Sequence, residues 1–211
     1  MTPLPRPVRL GAWAALILGA TVGMGAAQGV GMLFELEALR AAPTPKMSPM
    51  FGDEKLLRDV TEAMTRTQAQ ALEDMQVSRG LILFALSMTS ALTFVSALRI
   101  LRPAGVAREG VRRLLGGATL ASAVLRTLDG AQLAAVSKRM GTSADRVFAA
   151  SKSLPGEYPE GFAMILSVGA TTFFTLVVVG AFLALSRHFR SSKVRELVLA
   201  LDQAEPQEPP G

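Results

Sequence analysis

The 211-residue chain has no cysteine and only one histidine, one tyrosine and one tryptophan. Without thiols there can be no disulfide, no thiolate metal site and no cysteine nucleophile. His188 is the sole imidazole and sits among bases near the C-terminal end, so any histidine–serine–acid set would have to run through it. The glycine clusters match neither a phosphate-cradling loop nor a dinucleotide fingerprint. Carboxylates occur as close neighbours (Glu35 with Glu37, Asp53 with Glu54, Glu73 with Asp74), and adjacent residues on a helix do not converge on one substrate. The expectation is a non-enzymatic protein with no catalytic residues, no metal site and no cofactor. A net charge of +5 raises nucleic acid as a partner. The bases are not interleaved with aromatics, so that partner is not expected.

Charge is scarce too. Only 18% of the residues are charged, against about 25% in ordinary soluble domains. What the chain has instead is long apolar runs, at residues 10–34, 80–101, 114–137 and 162–186. Each is 22–25 residues long, and roughly 20 suffice for a helix to cross the hydrocarbon core. The first and fourth are apolar on every side, unlike the single stripe of a soluble helix. The pattern predicts an all-α, polytopic integral membrane protein with four transmembrane helices.

Basic residues near the span ends set the orientation. The N-tail, 1–9, carries Arg6 and Arg9 and no acid. The connection 102–113 carries Arg102, Arg108, Arg112 and Arg113 against Glu109. After the fourth span come Arg187, Arg190, Lys193 and Arg195 before the first acid, Glu196. By contrast, 35–79 holds eight acids and six bases, and 138–161 holds three acids and four bases. Both termini and 102–113 are therefore expected in the cytoplasm, with 35–79 and 138–161 outside. Seventeen arginines against five lysines, and outer loops without disulfides, suit a bacterial cytoplasmic membrane. Residues 1–27 also read as a cleavable signal, with small residues at Gly25 and Ala27. The apolar run continues to Phe34, which favours a retained span.

In the first outer loop, Pro43, Pro45 and Pro49 mark a turn. Leu56, Leu57, Val60, Met64, Ala71, Leu72 and Met75 then recur at helical spacing. This amphipathic helix, within 53–79, either runs unbroken into the second span or hinges at Arg79-Gly80. With a shorter helix near 143–153 it would form a small extracytoplasmic cap. The tail, 187–211, is basic and amphipathic, with Phe189, Val194, Leu197, Val198 and Leu201 on one face. Its bases, Arg187, Arg190, Lys193 and Arg195, would contact anionic lipid or a partner protein. The alternative is a plain juxtamembrane helix. The closing EPQEPPG reads as disordered.

The third span is the unusual one. It carries Arg126 and Asp129, each costing about 2.5–3.5 kcal/mol at a span centre, whereas each leucine or valine returns about 0.3–0.6 kcal/mol. Thr119, Ser122, Arg126, Asp129 and Gln132 recur at steps of three and four and form one polar stripe. Such a stripe should face the protein interior or a water-filled path rather than lipid. Arg126 and Asp129 stand close enough to neutralise each other along the helix, and hydroxyls on the second and fourth spans offer further partners. The pair is either structural or lines a path for an ion, proton or solute. On the first span, Gly19 with Gly23 and Gly25 with Gly29 follow the small-xxx-small rule for close helix packing. That packing is expected within the fold, with a homo-oligomer as the alternative. The function anticipated is an accessory, scaffold or sensor subunit of a membrane complex, in contact with the bilayer and with protein partners. The alternative is a small transporter or channel subunit using the polar stripe.

Overall fold

A computed structural model describes residues 4–36, 54–102, 107–151 and 158–204. Among them are six helices and no strand: α1 (Arg6–Phe34), α2 (Glu54–Asp74), α3 (Gln76–Leu101), α4 (Arg108–Ala150), α5 (Phe162–Arg190) and α6 (Ser192–Ala204). Three of them, α1, α3 and α5, are long and apolar enough to cross a membrane. This is consistent with a multi-pass membrane protein. The proline turn at 43–49 and the final EPQEPPG lie outside the described residues.

Two boundaries differ from the expectation, for physical reasons. The break between α2 and α3 falls at Met75, not at Arg79-Gly80. There the Met75 amide reaches Leu72 in a tight three-residue turn, and the Arg79 amide resumes the helical pattern on the Met75 carbonyl. Arg79 and Gly80 are both helical. The second change is in α4, which contains the expected span 114–137 but begins at Arg108 and continues to Ala150. Its 43 residues extend about 64 Å at 1.5 Å per residue. The separate helix foreseen near 143–153 is instead the end of α4. No proline interrupts 138–150, and Gly141 is retained within the helix because its lack of a side chain admits the Met164 backbone of α5.

The chain forms two compact units, and α1, α3, α4 and α5 contribute residues to both. The first comprises the described residues within 1–28, 83–127 and 177–211. Its core gathers Val8, Ala12 and Ala15 of α1, Ala97 and Ile100 of α3, Val111 and Leu115 of α4, Phe189 of α5, and Val194 and Val198 of α6. The apolar face predicted for the tail is therefore covered by the protein itself. A cap secures that closure: the Asp202 carboxylate of α6 accepts the Arg108 and Glu109 amides of α4, each at 3.0 Å. These amides have no partner inside their own helix, so a carboxylate there offsets both hydrogen-bonding need and helix dipole.

The second unit comprises the described residues within 29–82 and 128–176. Leu33, Val60, Ala69, Leu72, Val136 and Ala144 are buried in it. Asp145 of α4 caps α5 by accepting the Ala163 amide at 2.9 Å and the Met164 amide at 3.2 Å, with the Tyr158 hydroxyl donating to it at 2.8 Å. Gly161, at φ 74°, makes the left-handed turn into α5. A side chain there would add strain.

Candidate functional site

Asp129 is 1% exposed in the second unit. Its position follows from its neighbour on α4: a Cβ at Gly130 would overlap the Thr175 side chain of α5. The helices therefore approach through glycine, and the adjoining Asp129 is enclosed. The carboxylate meets Arg79 in the first turns of α3, with Oδ1 3.1 Å from Nη1 and side-chain exposures of 1% and 8%. One turn further along α4, Gln132 Nε2 donates to Ser78 Oγ at 3.3 Å. Two residues of the polar stripe thus meet two consecutive residues of α3. Beyond them, Ser137 of α4 and Thr171 of α5 share a hydrogen bond of 2.8 Å.

The electrostatics of this arrangement are asymmetric. Drawing one ion out of water costs several kcal/mol, and a well-formed partner returns part of that cost. Removing either partner alone leaves a charge with no compensation, which typically destabilises by about 3–5 kcal/mol. The geometry is thus a closed lock between α3 and α4 that fails when either half is lost.

The rest of the stripe lies in the first unit. Thr119 and Ser122 are fully buried, and Arg126 is half-buried. Thr119 donates to the Leu115 carbonyl of its own helix at 2.9 Å. On the other side of α4, Leu120, Val124 and Leu128 are exposed. The polar side of α4 faces inward, in the direction the sequence pattern indicated. What the sequence did not identify is Arg79 as the partner of Asp129.

The packing glycines divide. A Cβ at Gly19 would come within 2.9 Å of the Ser90 carbonyl oxygen of α3, and one at Gly23 within 3.2 Å of the Ser90 Cβ. Gly25 faces open space, and Gly29 is half-buried. Close packing within the fold therefore uses the first pair.

At the start of α4 stands a second cluster. Glu109 Oε2 is 2.6 Å from Arg112 Nε, and Oε1 is 2.8 Å from Arg113 Nε. The Arg112 side-chain hydrogen bond, reinforced by Arg113 against some desolvation, lowers the Glu109 pKa to about 2. Arg112 also donates to the Phe189 carbonyl, tying α4 to the end of α5. Arg187, Arg190, Lys193 and Arg195 are all exposed.

Several of these residues escaped the sequence reading, although a signal existed. If α3 and α4 are paired antiparallel from their facing ends, Arg79 is 22 positions before Leu101, and Gly130 is 22 positions after Arg108. Arg79 and Asp129 therefore share a level once α4 is known to begin at Arg108. Starting the span at 114 displaced that register. Asp202 and Asp145 act as caps on helices distant in sequence, and no local pattern marks such a role. Among the described residues, no group of three or more histidines and acids could hold a metal ion. No protein-family model, curated protein or solved structure matches the chain.

Proposed function

We propose that this protein is a four-pass component of a bacterial cytoplasmic membrane. It would serve as an accessory, scaffold or sensor subunit of a membrane complex. In this reading α1 is retained and α4 is the fourth span. Both termini are cytoplasmic, and α2 with the outer end of α4 belongs to an extracytoplasmic cap available to other proteins.

The observation that carries the reading is the buried Arg79–Asp129 pair. Asp129 is one of the two costly residues of a spanning α4, and its charge is met by a neighbouring helix. Inward-facing Thr119 and Ser122, with Leu120, Val124 and Leu128 on the outer side, add support. The α5 helix points the same way. Exposed Ile165, Leu166, Phe173, Phe174 and Leu176 form an apolar surface that water tolerates poorly and hydrocarbon accepts. A carboxylate already held by arginine at 1% exposure favours a structural lock over an open conduction path. This weighs towards the accessory role and against transport.

The test is extraction in a mild detergent, followed by sizing and identification of co-purifying proteins. The proposal predicts a complex larger than the protein alone. A lone protein, together with an Asp129→Asn variant that accumulates normally but abolishes proton or solute flux, would replace it with the transport reading.

A further inference from the structure

We infer that the first unit holds one anionic phospholipid of the cytoplasmic leaflet in a groove between α4 and the α5–α6 junction. The groove, of about 580 Å³, is lined by Leu120, Leu183, Ser186, Arg187, Arg190 and the serines at 191 and 192. This is within the usual range of about 300–1,000 Å³ for small-molecule sites. Its lining is ordered by chemistry. Leu183, Ser186, Arg187 and Arg190 follow steps of three, one and three along α5 and therefore share one helix face. The face changes from leucine to arginine over about 10 Å, comparable with the passage from acyl chains to the headgroup layer. Leu120 of α4 extends the apolar end of the groove.

The floor is fixed by backbone contact. Ser186 Oγ donates to the Gly116 carbonyl at 2.8 Å. A Cβ at Gly116 would come 3.0 Å from Arg190 Cγ, so the arginine stem lies directly against the glycine. Arg190 is thereby held beside Arg187 with its charged end at the surface. Among the described residues neither arginine forms an ion pair, while the nearby Glu109 is engaged by Arg112 and Arg113. Two unneutralised guanidinium groups suit a phosphate, which arginine binds through parallel hydrogen bonds. The paired leucines suit the first part of an acyl chain. Together they match a phospholipid with a net negative headgroup, rather than a soluble phosphate.

This inference rests on the proposed topology, with α5 in the bilayer and its C-terminal end at the cytoplasmic side, and it is independent of the accessory role. A failure to find a protein complex would leave it standing. The test is native mass spectrometry of the purified full chain in a neutral detergent, titrated with phosphatidylglycerol or phosphatidylcholine. One phosphatidylglycerol should bind per chain in preference to phosphatidylcholine. Arg187→Gln with Arg190→Gln should weaken that binding about twenty-five-fold, since each base near a membrane surface contributes about fivefold. Lys193→Gln with Arg195→Gln removes the same charge outside the groove and should leave binding unchanged. Arg187→Lys with Arg190→Lys keeps the charge but loses the parallel hydrogen bonds, so it should weaken binding less than the glutamine pair does, and Leu120→Ser should weaken it with both arginines intact. Equal weakening by the 193/195 pair, equal binding of phosphatidylcholine, or displacement of the lipid by glycerol phosphate would overturn the site.

Discussion

The two units each contain an acid engaged by arginine, and the two settings differ chiefly in reach. Glu109, 13% exposed, pairs with buried Arg112 and exposed Arg113, three and four positions along its own helix. Asp129 pairs with Arg79, fifty positions away on another helix, with both side chains less than a tenth exposed. A pair within one helix can form wherever that helix forms, so it reports little about tertiary structure. The pair between helices exists only when α3 and α4 are correctly registered, and its burial makes misregistration costly. The second unit thus uses charge to specify packing. The first uses charge to finish a helix end.

Removing half of the buried pair should have the largest effect. Asp129→Ala or Arg79→Ala should destabilise the protein by about 3–5 kcal/mol, read as loss of membrane-integrated protein and an earlier thermal transition in detergent. Replacing both with Leu and Met should recover most of that loss. Glu109→Ala should cost less, because Arg112 keeps the Phe189 carbonyl as a partner. If the two acids prove equal, the distinction drawn from their reach is wrong.

Next in size is Gly130→Val, which places a branched side chain against Thr175. Overpacking of this kind costs about 1–3 kcal/mol and should also loosen the neighbouring ion pair, visible as faster hydrogen exchange at the start of α3. Gly25→Val, facing open space, provides the matched control.

Asp202→Ala removes the cap on α4 and should cost about 1–2 kcal/mol. Limited proteolysis would register it as early release of α6. Asp202→Asn should cost less, since one acceptor oxygen remains.

A further effect concerns pH. Glu109 has its pKa lowered to about 2, from 4.5, in the folded protein. Its contribution is therefore complete above about 4.5 and is lost as the pH falls towards about 2. The thermal midpoint of the wild type, followed between pH 6 and pH 2, should fall more steeply than that of Glu109→Gln. Identical slopes would remove Glu109 from the account.

Much of the helical architecture was legible in the apolar runs. Residues 10–34, 80–101 and 162–186 correspond to α1, α3 and α5 because an apolar stretch of that length has few other stable forms. The inward face of Thr119, Ser122 and Asp129 followed from their spacing alone. The ends of α4 did not, because helix-compatible polar residues such as 108–113 and 138–150 carry no hydropathy signal. That uncertainty concealed Arg79, whose pairing depends on register. The same limit applied to the caps at Asp145 and Asp202 and to the groove beside Arg187 and Arg190. Each is assembled from segments whose proximity is a tertiary fact.

The absence of cysteine makes the central claim, that α4 crosses the membrane with its ion hidden, directly measurable. Single cysteines at Gly110 and Arg146, both exposed and near opposite ends of α4, can be probed in intact cells with a membrane-impermeant maleimide. The account predicts that Arg146→Cys is labelled from outside, whereas Gly110→Cys is labelled only after the membrane is opened. Equal labelling of the two in intact cells would contradict it.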